Sequence, residues 1–517
     1  MNIIDFFDYG AARNPDRPFL INDGTVKTYR ESQEATHRIA GAMAHSGLKL
    51  GSRVAIYSPN DDIAFECLFG LFRAGCAWVP INARNSVKEN AQILRNADVD
   101  AVIFHSSFEG IIPELNAACP NLRIVACLDR NSTHAPSLAS WIAASNAPRV
   151  QIDASCDDLY GIYSTGGTTG APKSVLQTNL VMETKVSTFL IHTPPTKPPV
   201  YLLVAPWTHA GGSVAQCLTP HGVTVVVVPK FDPHTVLRAI ERYRVTYMFL
   251  PPTAIYMLLA YPEVRRFGYS SLEYFLYAAA PMSAEKLEEA ISVFGPVMFQ
   301  TYGQVEAPTI CTVFTREEHA EALNTPDRRR LRSCGRASSL TRVEIMDDDE
   351  KLLPPESPGE IVVRGNLVMK GYYKDPKATA EITTSNGWHR TGDIGLKDAD
   401  GYIYIIDRKR DMIISGGFNI YPSEVEQVLW MHPAVQDCTV IGIPHEKWGE
   451  AVHAVIELKP GAKATAEEIM VLCREKLGAI KVPKSVEFCD ELPRSPVGKV
   501  MKRAVRDRYW AGRDRSV

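Results

Sequence analysis

The stretch RVAIYSPNDDIAFECLFGLFRAGCAWVPI, residues 53–81, decides the fold class. Residues 54–57 are a short apolar run, 63–74 are predominantly apolar at helical length, and 78–81 return to a short apolar run. A polar-apolar helical pattern follows over 87–96. Short apolar runs alternating with helices are the grammar of a parallel sheet covered by helices. The alternation resumes at 101–104, 124–128, 201–204, 223–228 and 247–250. Runs such as 225–228, with no polar alternation, suit strands buried on both faces. The sequence thus predicts an α/β fold with a large N-terminal domain of parallel or mixed sheets flanked by helices.

Beyond residue 340 the texture changes to short alternating strands, 342–345 and 360–363, with Pro354, Pro355, Pro358 and Gly359 marking a turn. This predicts a smaller β-rich subdomain. The charged segment Asp407-Arg408-Lys409-Arg410-Asp411 precedes a compact α+β tail with helices at 423–431 and 466–477, the second opened by a Thr465/Glu468 capping box.

At 517 residues the chain exceeds the size at which one core keeps growing, so at least two domains are expected. Hydrophobic residues at 45% and charged residues at 22% place it among ordinary globular proteins. A net charge of -3 carries no electrostatic footprint for nucleic acid. No apolar run reaches the ~18 residues of a membrane span, and the first ten residues carry Asp5 and Asp8 instead of a basic leader, so an integral membrane segment is not expected and a cytoplasmic location is. Eleven cysteines, none in Cys-x-x-Cys spacing, read as reduced and mostly buried thiols.

The segment Tyr163-Ser164-Thr165-Gly166-Gly167-Thr168-Thr169-Gly170-Ala171-Pro172-Lys173 packs three glycines, four serine or threonine hydroxyls and a lysine into eleven residues. Glycines let backbone N–H groups converge on anionic oxygens, hydroxyls add neutral donors, and the lysine supplies a mobile charge. The same composition also suits a flexible surface loop, and the Walker spacing is absent.

Several blocks in one order resemble the adenylate-forming superfamily of acyl- and aryl-CoA ligases, beetle luciferases and peptide-synthetase adenylation domains. The loop is similar to the family's S/T-G-T-T-G-x-P-K-G signature, with Gly166 in the usual serine position and Ser174 for the final glycine. Ala205-Pro206-Trp207-Thr208-His209-Ala210-Gly211-Gly212 looks like the block in which an aromatic or His gates the acyl carboxylate. Ala278-Ala279-Ala280-Pro281 resembles the adenine-pocket stretch, and Thr301-Tyr302-Gly303-Gln304-Val305-Glu306 the Tyr-Gly-x-Thr-Glu motif, with Val305 in place of the usual threonine. Thr391-Gly392-Asp393, Arg408, Ser415-Gly416-Gly417 and Pro493-Arg494-Ser495-Pro496-Val497-Gly498-Lys499 are similar to later family blocks.

The resemblance implies roles. Ser164, Thr165, Gly166, Gly167, Thr168, Thr169, Gly170 and Lys173 would cradle ATP phosphates; Ala279, Ala280, Pro281, Thr301, Tyr302 and Gly303 would hold the adenosine, with Asp393, Ile405 and Arg408 on the ribose side. Glu306, with Thr168, would hold Mg²⁺. Lys499, His209 and Glu306 would be catalytic, and Arg410 the hinge between an adenylation domain (1–409) and a mobile C-terminal domain (410–517). Gly416, Gly417 and Trp448 would meet coenzyme A. Trp207, His209, Gly211, Gly212, Tyr277, Ala278, Val305 and Pro308, mostly small or apolar, would line an acyl pocket for a medium- or long-chain fatty or aromatic monocarboxylate. Gln300 and Thr301 directly precede the Tyr302-Gly303 pair, with no arginine there to pair a second carboxylate, which speaks against malonate-type acids.

The expected reaction is ATP-dependent ligation of a carboxylic acid to CoA through an acyl-adenylate. Loading of a carrier protein by a stand-alone adenylation enzyme is the alternative within the superfamily, and a nucleotide-binding regulator the alternative outside it. The partners implied are small molecules: the acid, ATP and CoA. Oligomeric state is left open, a homodimer included.

Overall fold

The computed structural model describes residues 1–145, 149–150, 152–165, 172–326, 328–494 and 500–511. Two compact units divide the chain, one built on Met1–Gly167, Ala171–Val343 and Val363–His389, the other on Glu344–Val362 and Arg390–Val517.

The first unit holds two large sheets. One runs Arg336–Ala337, Thr312–Phe314, Met298–Tyr302, Tyr274–Tyr277, Tyr247–Leu250, Val200–Leu203, Thr224–Val227, Pro18–Asn22, Thr25–Thr28. Its six middle strands, from Met298–Tyr302 to Pro18–Asn22, pair in parallel. The other runs Gly371–Tyr372, Ser174–Thr178, Leu159–Ser164, Ala77–Trp78, Arg53–Tyr57, Ala101–Phe104, Arg123–Cys127. The apolar runs are interior: Val225, Tyr247, Met248, Phe275 and Ile103 are all at 0% exposure, as strands covered on both faces require.

Residues 53–96 fold as the alternation demands. The helix Asp62–Arg73 is buried on every side and opened by Asp61, whose Oδ1 accepts from Ala64 N at 2.9 Å. The helix Val87–Asn96 carries a full capping box. The predicted strand 78–81 differs: it pairs only over Ala77–Trp78. Pro80 has no N–H to extend the ladder, so pairing ends at Val79, whose N–H donates to Val54 O at 2.9 Å, and Pro80 and Ile81 stay buried beyond it.

The second unit contains a four-stranded sheet ordered Arg342–Met346, Gly359–Arg364, His389–Lys397, Ile403–Arg408, and a five-stranded sheet in the tail centred on Val435–His445 and Gly449–Leu458. Helices Pro422–Leu429 and Ala466–Leu477 cover the tail sheet through a core of Ile413, Val425, Leu429, Val440, Val452 and Ile469. The Thr465/Glu468 capping box is present in both directions. All eleven cysteines are free, and nine are buried. No helix among the described residues is long and apolar enough to cross a membrane.

Candidate active site

In the first unit, the strands Val200–Leu203, Tyr274–Tyr277 and Met298–Tyr302 point the same way, so their carboxyl ends lie along one edge of the sheet. The chain leaves that edge as three of the predicted blocks: 204–209, 278–281 and 303–306. Ligands of open α/β sheets gather at this edge.

The adenine block is accessible there, Ala279 and Pro281 being exposed and Ala278 and Ala280 partly so. Ala279 holds φ at +74°, a region a side chain resists by about 1–2 kcal/mol. Such strain persists only where the surroundings impose it.

After Tyr302 the chain turns tightly. Gln304 and Ala307 exchange backbone hydrogen bonds at 3.0 and 3.2 Å around Val305 and Glu306. Gly303 is required, because a Cβ would come within 2.6 Å of Thr309 N. Gln177 Nε2 donates to Val305 O at 2.9 Å, and Met369 N to Glu306 O at 2.7 Å, tying the turn to the second sheet. The Glu306 carboxylate accepts from the Tyr372 hydroxyl at 2.8 Å, and Lys173 Nζ sits 4.8 Å above the Tyr372 ring. Burial, with the Glu306 charge added, pushes the Tyr372 phenol well above its ordinary range, so it stays protonated and donates. Sequence reasoning missed Tyr372; a tyrosine in Gly371-Tyr372-Tyr373 has no spacing that marks it. Val305 packs against Val175, Met369 and Tyr372. Its methyls therefore serve that apolar cluster where a threonine would offer a hydroxyl.

The neck of the glycine-rich loop is closed by Thr165 and Lys173, with Thr165 N donating to Lys173 O at 3.0 Å and Lys173 N to Thr165 Oγ1 at 3.2 Å. Ser164 ends its strand next to this neck. Gly166, Gly167, Thr168, Thr169 and Gly170 lie outside the described residues.

His209 is solvent-accessible at the start of helix Ala210–Cys217, yet ringed by protein as a residue lining a concave surface is. Desolvation first, and then the Arg84 charge, lower its pKa, so the imidazole is neutral at pH 7. Its Nδ1 is 3.0 Å from Thr208 Oγ1. The other proposed pocket residues are placed differently. Trp207 is 1% exposed and stacks on Trp78 at 5.5 Å. Tyr277 is 1% exposed, with its hydroxyl 2.9 Å from His319 Nε2. A Cβ on Gly211 would stand 2.9 Å from Ala205 O and one on Gly212 2.0 Å from Trp207 O. Those two glycines let the helix approach the preceding loop, so their small size leaves no open space of its own. Pro308 and Thr301 are buried, while Tyr302 is half-buried.

In the second unit, Asp393 and Arg408 face each other in register on adjacent strands, and Arg408 Nε meets Asp393 Oδ1 at 2.6 Å. Gly392 takes φ +71° and gives its N–H to Glu360. Ile405, on the same strand as Arg408, is 39% exposed. Burial, aided by Arg408 and Arg506, lowers the pKa of Arg410. Gly416 and Gly417, at φ +59° and +83°, form the two-residue turn joining Ile413–Ser415 to Phe418–Ile420. Gly416 N donates to Trp448 O at 3.0 Å, and a Cβ on Gly416 would lie 3.3 Å from the Trp448 ring. That ring stacks on His445 at 4.3 Å and has Lys484 Nζ 5.4 Å from its centre. The three residues assigned to CoA thus stand together. Lys499 lies outside the described residues; Arg494 and Val500, on either side, form a bridge.

Among the described residues no group of three or more His, Cys, Asp or Glu is arranged to hold a metal ion. A single carboxylate such as Glu306 nevertheless fits Mg²⁺, which binds through one or two carboxylates plus substrate phosphates.

Known proteins resemble this chain over nearly all of its length. Residues 7–373 match the AMP-binding enzyme family and residues 424–499 the AMP-binding enzyme C-terminal domain. The chain is 34% identical to the medium/long-chain-fatty-acid–CoA ligase FadD8 of Mycobacterium tuberculosis over 98% of its own length and 90% of the relative's. It is 35% identical to a feruloyl-CoA synthase of an Amycolatopsis species, over 96% and 97%. The solved structure of the amide bond synthetase McbA from Marinactinospora thermotolerans superposes with a TM-score of 0.86 at 30% identity, over 98% of this chain and 100% of that one.

Proposed function

The chain belongs to the AMP-binding enzyme family of adenylate-forming acid–thiol ligases, and on that premise we propose that it converts a medium- or long-chain fatty or aromatic monocarboxylate to its CoA thioester. The observation that carries this reading is the convergence of the 204–209, 278–281 and 303–306 segments at the carboxyl edge of one parallel sheet, with Lys173 brought to Glu306 through Tyr372.

In the first step the acid's carboxylate oxygen attacks the α-phosphorus of ATP, a phosphorus–oxygen bond to pyrophosphate breaks, and an acyl-adenylate forms. Two anions must meet, so catalysis is positioning and charge compensation without a covalent protein intermediate. Lys499 would supply positive charge to the carboxylate and α-phosphate. Neutral His209 can donate a hydrogen bond to the acid without competing as a cation. Mg²⁺, held by Glu306 and Thr168 with the substrate phosphates, would neutralise developing charge. Ala279 to Pro281 and Tyr302 would hold the adenine, and Asp393 with Arg408 the ribose. In the second step the CoA thiol loses its proton, sulfur bonds to the acyl carbon, and the bond to AMP breaks. The Gly416, Gly417 and Trp448 cluster supports a pantetheine thiol, such as that of CoA, as the acceptor.

Rotation about Arg410 would exchange Lys499 for that cluster, with 1–409 and 410–517 as the moving bodies. Contacts group the four-stranded sheet with the tail. The 409/410 boundary concerns rotation, which is a different property.

The test is pyrophosphate release from ATP with a panel of acids, followed by thioester formation with CoA or with a phosphopantetheinylated carrier protein. Acid-dependent pyrophosphate release and acyl-CoA are expected. Absence of pyrophosphate with every acid overturns the adenylation reading, and thioester on the carrier alone moves the function to carrier loading.

A further inference from the structure

Lys185, on helix Asn179–His192, is 2% exposed and has no carboxylate partner among the described residues. Its Nζ donates to Ser213 Oγ at 2.8 Å and lies 5.5 Å from the centre of the Tyr160 ring. Neither titratable neighbour offers negative charge. Burial pushes the Cys217 thiol up to about 11 and the Tyr160 phenol well above its ordinary range, so both are neutral at pH 7.

Burial lowers the Lys185 pKa; with Nζ as the donor of this bond, Ser213 Oγ accepts and the Ser213 proton faces elsewhere. Thr184 and Thr188, on the facing helix, return their hydroxyls to carbonyls four residues back. Among the described residues the Ser213 hydroxyl makes no such bond. Between Gly211 and Pro220 it is also the one residue that is not buried. One turn further along the helix, Gln216 is fully buried, its Oε1 accepting from Tyr160 while its Nε2 finds no acceptor. A row of spare donors therefore runs along the helix from its accessible end.

Ser213 lies in the first turn of the helix that His209 caps, and its N–H donates to His209 O at 3.2 Å, so both residues stand at the same accessible end of that helix. We propose that Ser213, backed by Lys185 as a positioning residue, reads a hydrogen-bond-accepting oxygen on the substrate acid several atoms from its reacting carboxylate. The chain then prefers keto- or hydroxy-substituted acids to the bare hydrocarbon acids of the same length. This rests on the adenylation reading with His209 at the carboxylate. A site built to bond an oxygen rejects the analogue lacking it, because its own polar groups are left unpaired.

Two matched pairs test it: hexanoate with 5-oxohexanoate, and 3-phenylpropanoate with 3-(4-hydroxyphenyl)propanoate, each assayed for pyrophosphate release. Wild-type kcat/KM is expected to favour the oxygenated member of at least one pair by tenfold or more. Ser213→Ala and Lys185→Met should bring that ratio near one, through loss on the oxygenated acid. Equal rates within both pairs in the wild type overturn the proposal. So does an equal fall on both members in Ser213→Ala, a change a helix tolerates even if Lys185→Met does not fold. Pyrophosphate release from no acid at all would instead sink the adenylation reading.

Discussion

In the first unit the Tyr302–Glu306 turn and the Ala278–Pro281 segment stand where they do because buried parallel strands end there. In the second unit Gly416, Gly417 and Trp448 are held by a two-residue turn, one backbone hydrogen bond and a ring stack. The first arrangement is inseparable from the core. The second can be altered at little cost to folding. Substitutions in the second unit should therefore separate the two half-reactions, whereas those in the first should tell on adenylation, on stability or on both.

The largest separation is expected at Lys499. Lys499→Ala removes the cation proposed to meet carboxylate and α-phosphate, so pyrophosphate release should fall by about a hundredfold or more, the scale of losing one preorganised electrostatic contact. A chemically supplied acyl-adenylate should still react with CoA at near the normal rate. Equal loss of both steps would deny that the tail carries a group specific to adenylation.

Acid should strike the first unit harder. His319 Nδ1 lies 2.6 Å from Thr315 O, so that nitrogen carries the proton and Nε2 accepts from Tyr277. Desolvation holds its pKa down, to about 4. Above pH 6.5 the group is neutral folded or unfolded. As pH falls from 6.5 to about 4, the unfolded chain takes a proton that the folded chain refuses, so roughly 3 kcal/mol of stability is lost across that window. His453 in the second unit is also lowered by burial, but Glu487 opposes the shift. Hydrogen exchange read peptide by peptide at pH 7 and 4.5 should show greater loss of protection around 274–277 and 315–323 than around 451–457. The reverse order would break the comparison.

Trp448→Ala should be the converse of Lys499→Ala. Adenylate should form at close to the normal rate and accumulate, with the KM for CoA raised about tenfold, near 1.4 kcal/mol. The ring is half-buried and caps the Gly416 turn without entering the tail core, so folding should survive. Slowed adenylation in this variant would make Trp448 a structural residue.

How much of this was legible in the sequence follows the same division. Uninterrupted runs such as 247–250 announced their strands to the residue, because burial on both faces leaves one kind of pattern. The blocks at the strand ends were legible through their resemblance to family blocks taken in order, since a run such as Ala278-Ala279-Ala280-Pro281 carries no chemistry of its own. Tyr372 was not: its strand pairs with Ser174–Thr178 across some two hundred residues, and no local spacing records such a contact. Trp207 is apolar and Gly211 and Gly212 are small, yet neither property says which side a residue faces, and the structure gives their space to the helix and to Trp78. The Ser213 and Lys185 pair was invisible for the same reason, being a contact between two helices.

The smallest effect tests whether the strand-end site is tuned from the second sheet of its own unit. Glu306→Gln keeps shape and removes charge, and should lower adenylate formation at least tenfold, about 1.4 kcal/mol. Added Mg²⁺ should recover part of that loss. Tyr372→Phe keeps both the charge and the ring under Lys173 and removes one hydrogen bond to the carboxylate. A hydrogen bond to a charged group contributes about 1.5–3 kcal/mol when fully desolvated, and a neutral one about 0.5–1.5. Glu306 is only partly buried, so the lower range applies and a loss of roughly three- to tenfold is expected. Because the tyrosine orients Glu306 and touches no substrate, the loss should appear as a higher Mg²⁺ concentration for half-maximal rate and as weaker binding of Mn²⁺ and ATP together by paramagnetic resonance. Glu306→Gln combined with Tyr372→Phe should then cost little more than Glu306→Gln alone. Full additivity of the two would mean that Tyr372 acts on the apolar cluster with Val175 and Met369, and that the second sheet supports the site by packing only.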